Sequence, residues 1–405
     1  MKTHRLRAPS ADGALLAIPP LAEAGEQLRS NVQRFEHWNH DFQGRNAERL
    51  KAIVRRDILS RARDFLHRHG LSQPPASRED VQTPIVMTAH QPELFHPGVW
   101  IKNFATSAIA QTHRGLGLNL IVDNDLPKSA SIRVPDTSGR TARSVRVEFD
   151  RAAGEVPYEE AAVHDESLFA SFADRVRNVL QDSISDPLLN EYWPIALRRS
   201  RETRRLGLRF TMARREIEAA WGHHNLEIPL SEVCKTEGFF WFASHILANL
   251  ARFQQIHNDA LVQYREAYGI RSRHHPVPEL VTRGEWREAP FWVWRESEPR
   301  RQPLLIRQDR STMQLRISGE DAPLIELPLS PDREACCAVE RLHELDAMKV
   351  RLRTRALTTT MFCRYLLSDL FIHGIGGAKY DELGDSIASR FYQIEPPPFL
   401  TLSLT

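Results

Sequence analysis

Two short apolar runs, each ending in a polar cluster, constrain this chain most. Pro84-Ile85-Val86-Met87-Thr88-Ala89 is too short for a helix and suits a buried strand. It passes through His90-Gln91-Pro92 into a helical stretch whose apolar positions Ile101, Phe104, Ala105, Ala108 and Ile109 share one face. Gly115 and Gly117 stop that helix. A second run, Leu118-Asn119-Leu120-Ile121-Val122, then leads directly into Asp123-Asn124-Asp125. The unit has the size of a βαβ crossover, which requires a parallel sheet. In open parallel sheets ligands bind outside the carboxyl ends of the strands, where this sequence sets its polar residues.

The remaining pattern divides the chain. Residues 1–80 read as an N-terminal helical segment, with helices over 21–35 and 47–69. Residues 81–160 hold the βαβ unit and a strand pair around a Ser-Gly turn. Residues 161–285 read as a helical insertion. Its last helix carries Phe242, Ile246, Leu250, Phe253, His257, Ala260 and Tyr264 at three- and four-residue steps. That seam serves an intramolecular hairpin or a homodimer equally well. Residues 286–350 form a small strand-rich segment. Residues 351–405 repeat the strand–loop–helix grammar, with His373-Gly374-Ile375-Gly376-Gly377 opening a helix. The expected fold is α/β, a Rossmann-like parallel-sheet core with a long helical insertion.

Composition removes several classes. The 405 residues carry 54 Lys and Arg against 52 Asp and Glu, a balance that argues against a nucleic-acid or membrane partner. The four cysteines make no CxxC pair, so neither a zinc site nor a disulfide framework is expected. No apolar run reaches 18 residues, and the first 20 lack a secretory pattern, so the expected location is cytoplasmic.

Candidate chemistry gathers at the strand ends. His90, Asp123, Asp125 and His373 are the candidate catalytic residues, as proton acceptors or donors. For the two aspartates, metal ligation, hydroxyl binding and helix capping remain open alternatives. Gln91 and Asn124 are candidate substrate contacts beside them. Gly374, Gly376 and Gly377 allow close backbone approach at a helix start, and Lys379, Tyr380 and Asp381 follow in its first turn. The glycine loop matches no standard phosphate fingerprint. Arg271, Arg273 and His274, in the loop after the long helix, could hold a carboxylate or phosphate, against a simple solvated loop. No metal ligand set is assigned.

These residues together resemble a family. Thr88-Ala89-His90-Gln91-Pro92-Glu93-Leu94-Phe95 looks like the strand–loop signature of the cysteine-adding ligase of bacillithiol biosynthesis. Val122-Asp123-Asn124-Asp125 sits where that family has an acidic segment after its next strand. The stretch from Arg355-Ala356-Leu357 through Gly374-Ile375-Gly376-Gly377 to Pro396-Pro397-Pro398 is similar to the family's C-terminal end. Ala89 stands in place of a usual glycine, Asn124 where His is common, and Pro97-Gly98 in reversed order.

The resemblance implies a ligase-like enzyme joining cysteine or another amino acid to an amino-sugar or similar small-molecule acceptor. ATP or another nucleotide is the candidate cofactor. A non-catalytic nucleotide- or sugar-binding protein and a nucleotidylyltransferase-like enzyme are the alternatives.

Overall fold

The computed structural model describes residues 6–74, 83–152, 154–180 and 183–405. The chain begins with an edge strand β1 (Leu15–Ile18) and two helices, α1 (Ala24–Glu36) and α2 (Ala47–Arg68). The expected βαβ unit follows as β2 (Ile85–His90), α3 (Pro97–Thr112) and β3 (Leu116–Ile121). A hairpin, β4 (Ser131–Asp136) with β5 (Arg143–Glu148), precedes four helices: α4 (Glu166–Ala170), α5 (Phe172–Leu180), α6 (Leu189–Arg198) and α7 (Leu206–Ala220). Strand β6 (Leu226–Pro229) leads to α8 (Leu230–Val233), α9 (Glu237–Ala248) and α10 (Leu250–Tyr268).

Five strands come next: β7 (Thr282–Arg283), β8 (Trp286–Arg295), β9 (Glu298–Asp309), β10 (Thr312–Ile317) and β11 (Ile325–Leu327). After α11 (Cys336–Ala347) and β12 (Val350–Thr354), helix α12 (Ala356–Phe362) closes through a π-helical turn into β13 (Leu370–His373). Helix α13 (Ile375–Tyr392) and β14 (Leu400–Leu404) complete the chain.

The main sheet runs β1-β14-β13-β2-β3-β6, with β1 antiparallel and the other five strands parallel. Counted along the chain, the parallel strands lie in the order 3-2-1-4-5. The direction of winding therefore reverses between β2 and β13. A second, antiparallel sheet runs β11-β10-β9-β8-β12, with β7 on β8. It packs in the same apolar core as α2, α9, α10 and β2–β3. The hairpin and α4–α7 bury a separate cluster around Trp193, Phe169 and Phe210. No helix among the described residues is long and apolar enough to cross a membrane.

Three details differ from expectation, each for a physical reason. The stretch 161–285, read as helical insertion, contributes β6 to the main sheet. Its central Glu227 is fully buried and bound by Arg214, so the strand lacks the apolar signature of a buried strand. The N-terminal helical segment likewise supplies β1. The seam helix is two helices, broken at Asn249, and all seven seam residues are buried. The seam packs within the chain: the Phe253 and Phe391 rings lie 5.0 Å apart, and Tyr264 Oη donates to the Lys379 carbonyl at 3.0 Å.

Candidate functional site

The carboxyl ends of β2 and β3 face the second sheet across a cavity of about 270 Å³. Gln91, Asn124 and Asp125 form one wall. Short turns after the two strands deliver all three, as the strand–loop spacing requires. Gln91 Nε2 donates to Asp125 Oδ2 at 2.8 Å, and Asn124 Nδ2 donates to the Thr354 carbonyl at 2.8 Å. The second bond staples the β3 turn to the end of β12.

The opposite wall is cationic and aromatic. Arg355 lies over the Trp292 ring at 4.1 Å and Arg301 at 5.2 Å. Arg301 Nη1 donates to Asp125 Oδ1 at 3.0 Å, linking the two walls. Arg355 Nη2 is 2.7 Å from Glu288 Oε1, in ion-pair reach but out of line for a hydrogen bond. Its Nε is buried with no hydrogen-bond partner among the described residues. Burial lowers the guanidinium's proton affinity, and Glu288 offsets this in part. A buried guanidinium with unused N–H groups favours an oxyanion in the adjoining cavity.

Asp123 faces elsewhere. It lines a separate recess with Glu159 and Ser231. Ser231 N donates to its Oδ1 at 2.9 Å and Ser231 Oγ to its Oδ2 at 2.5 Å, which ties the β3 turn to the first turn of α8. Burial raises its pKa to about 7, with Glu159 adding to the rise.

The strand-end histidines occupy a third place, where the winding of the sheet reverses. His90 Nε2 donates to Asn103 Oδ1 at 2.9 Å, and Asn103 Nδ2 donates to Glu218 Oε1 at 2.6 Å. Burial, then Lys102 and Arg214, hold the His90 ring neutral. His373 Nε2 pairs with Asp381 Oδ2 at 2.7 Å, and Asp381 also accepts from Thr360 and Arg364. Burial pushes Asp381 up, but Arg364 and His373 outweigh it and hold the carboxyl low. Gly377 is required by packing: a Cβ there would lie 2.7 Å from His373 Nδ1. Beside Gly376 the space is open.

Between these histidines lies Lys102, 5 % exposed, donating to the Ala89 carbonyl at 3.2 Å. Among the described residues no carboxylate lies in ion-pair range of it, and burial lowers its pKa to about 8. A buried ammonium without a counter-ion is a candidate functional position.

The arrangement separates the candidate residues predicted from sequence. Gln91, Asn124 and Asp125 share the cavity. Asp123 is in the recess. His90, His373, Gly374, Gly376, Gly377 and Asp381 cluster where the winding reverses. Arg271, Arg273 and His274 are exposed on the loop and do not line the cavity, whose nearest loop residues are Val277, Pro278 and Leu280. Tyr380 is 38 % exposed, with its ring 6.0 Å from that of His275. The Lys379 backbone is engaged by Tyr264.

Sequence reasoning missed Lys102, Trp292 and Arg301 as site residues. Helix α3 buries its polar stripe Lys102, Asn103, Thr106 and Ser107, while Ile101, Phe104 and Ala105 are half-buried and Ala108 is exposed. The i, i+1, i+4, i+5 spacing of polar residues was the available signal. Arg301 carried none, since it adjoins Arg300 in an ordinary charged strand.

No protein-family model matches the sequence, and no curated protein matches it.

Proposed function

We propose that the chain is a ligase-like enzyme that forms a carbon–nitrogen bond between an amino acid, cysteine or another, and an anionic amino-sugar or similar acceptor. The observation that carries this reading is the cavity. Strand-end hydrogen-bonding groups (Gln91, Asn124, Asp125) face two arginines stacked on one tryptophan. Arginine pairs hold carboxylate or phosphate oxygens, while an aromatic face suits a sugar ring or a cation. The five parallel strands in the order 3-2-1-4-5 support the Rossmann-like reading, and ligands of such sheets lie outside the carboxyl ends near the reversal.

In this reading Arg355 and Arg301 anchor the anionic group, replacing the exposed Arg271 and Arg273. Asp125 and Gln91 hold the amine or hydroxyl groups. Lys102 and the backbone amides of the glycine loop favour negative charge at the reversal, where ATP or another nucleotide is the candidate activator.

The test is a mass-spectrometric search for condensation product. Purified protein is incubated with cysteine and a carboxylate-bearing amino-sugar glycoside, with and without ATP. Product equal to the sum of the substrates less water, abolished in Arg355→Met and Asp125→Asn, supports the reading. Tight binding of a substrate without turnover in any mixture points to a binding protein. Pyrophosphate exchange without condensation points to nucleotidyl transfer.

A further inference from the structure

His257 also lines the cavity, from helix α10, and is only 5 % exposed. Its neighbour Asn258 is clamped to the backbone of the next loop. Asn258 Nδ2 donates to the Leu280 carbonyl at 2.9 Å, and Leu280 N donates to Asn258 Oδ1 at 3.0 Å. That double bond to one residue fixes which amide atom is the oxygen. Asn258 Oδ1 lies 3.1 Å from His257 Nδ1, so the ring nitrogen must carry the hydrogen and donate it. A neutral imidazole with Nδ1 protonated has its lone pair on Nε2, which makes no hydrogen bond to any described residue.

Three charged groups act on this ring through their fields: Arg355 from the start of α12, Arg265 from its own helix and Glu279 from the loop. Burial lowers the pKa to about 4; the Asn258 hydrogen bond is the main opposing effect, Arg355 and then Arg265 lower it further, and Glu279 raises it slightly. Arg355 is also the cation with unused N–H groups in the cavity. An anion seated on Arg355 cancels its repulsion of the imidazolium and makes the ring a stronger base.

We propose that His257 is the proton acceptor of this cavity, held in one tautomer by Asn258 and made more basic by an anion on Arg355. This rests on reading the cavity as a small-molecule site. In the step, Nε2 takes a proton from the ammonium of the bound substrate, freeing the nitrogen lone pair for the carbon–nitrogen bond. The substrate keeps the freed electron pair, and the ring becomes an imidazolium beside the bound anion. The proton returns to solvent on release. Asn258 is a positioning residue, since it acts only through the ring.

The experiment uses full-length protein labelled with nitrogen-15 in histidine. His257 is assigned by the signal lost in His257→Gln, or by the signal that shifts in Asn258→Asp should the first variant fold poorly. Inorganic sulfate is the probe anion, because its charge is constant over the titration. The expected spectrum shows Nδ1 protonated. The expected titration moves upward by about half a pH unit or more when sulfate saturates the wild type. In Arg355→Met the free-state value is already raised, and sulfate no longer moves it.

An Nε2-protonated ring would overturn the proposal. So would calorimetric binding of sulfate to the wild type with an unmoved His257, which leaves the cavity reading intact. Failure of the wild type to bind sulfate would count against both.

Discussion

Asp123 and Lys102 are buried ionisable groups that the fold holds far from their ordinary proton affinities, in opposite directions. Asp123 titrates at about 7 in the folded chain, above its ordinary 3.8. The folded state then binds the proton more tightly, so stability is lost as pH rises from 4 through 7. Asp123→Asn, whose partner Ser231 can turn its hydroxyl to accept, should raise stability at pH 8 by roughly 2–4 kcal/mol and leave it nearly unchanged at pH 4. Urea unfolding at the two pH values checks this, and an equal effect at both would contradict it.

Lys102 shows the mirror case. Its folded pKa of about 8 lies below the ordinary 10.5, so a cost is fully present at pH 7 and fades as pH rises from 8 to above 10. Lys102→Met should stabilise the fold at pH 7 by roughly 2–3 kcal/mol, with the gain shrinking in alkali. A loss of stability at pH 7 would show that the ammonium has a counter-charge in solution.

At the level of elements, the link between α7 and the main sheet is ionic. Arg214 Nη1 lies 2.7 Å from Glu218 and from Glu227 of β6, and all three side chains are buried. Asn119 on β3 and Asn103 on α3 extend the same network. Removing the cation alone strands two carboxylates, so Arg214→Met should cost about 3–5 kcal/mol in chemical unfolding. Adding Glu218→Gln and Glu227→Gln should recover much of that loss. A single variant as stable as the parent would mean the network is solvated.

This network also explains what the sequence left hidden. Apolar runs announce β2 and β3, because both faces of a central parallel strand are covered. Strand β6, with Glu227 at its centre, and α3, with a buried polar stripe, obey burial and polarity in combination. A pattern based on apolar residues alone cannot see them. The glycine loop was legible as a helix start. Its Gly377, however, serves the close approach of His373, a packing demand that becomes visible only with the fold.

At the scale of the molecule, the parallel sheet supplies hydrogen-bonding residues at its strand ends, and the second sheet supplies the cations. Gln91 and Asp125 were legible because strand–turn spacing is local in sequence. Arg301 and Arg355 were not recognisable as their partners, since only the packing of β8, β9 and β12 against the strand ends brings them there. The seam of α9 and α10 is likewise spent inside the chain, where it braces α13 and gives His257 to the cavity.

In the proposed function, ligand binds between the strand ends and the two arginines. A thermal-shift screen tests it most directly. It would cover nucleotides, cysteine and other amino acids, and carboxylate-bearing amino-sugar conjugates, on wild type, Arg355→Met and an Arg271→Ala, Arg273→Ala double variant. A ligand should raise the melting temperature of the wild type and the loop variant by mass action, and that of Arg355→Met much less. A shift retained in Arg355→Met, or lost in the loop variant, would contradict the account and move the site out of the cavity.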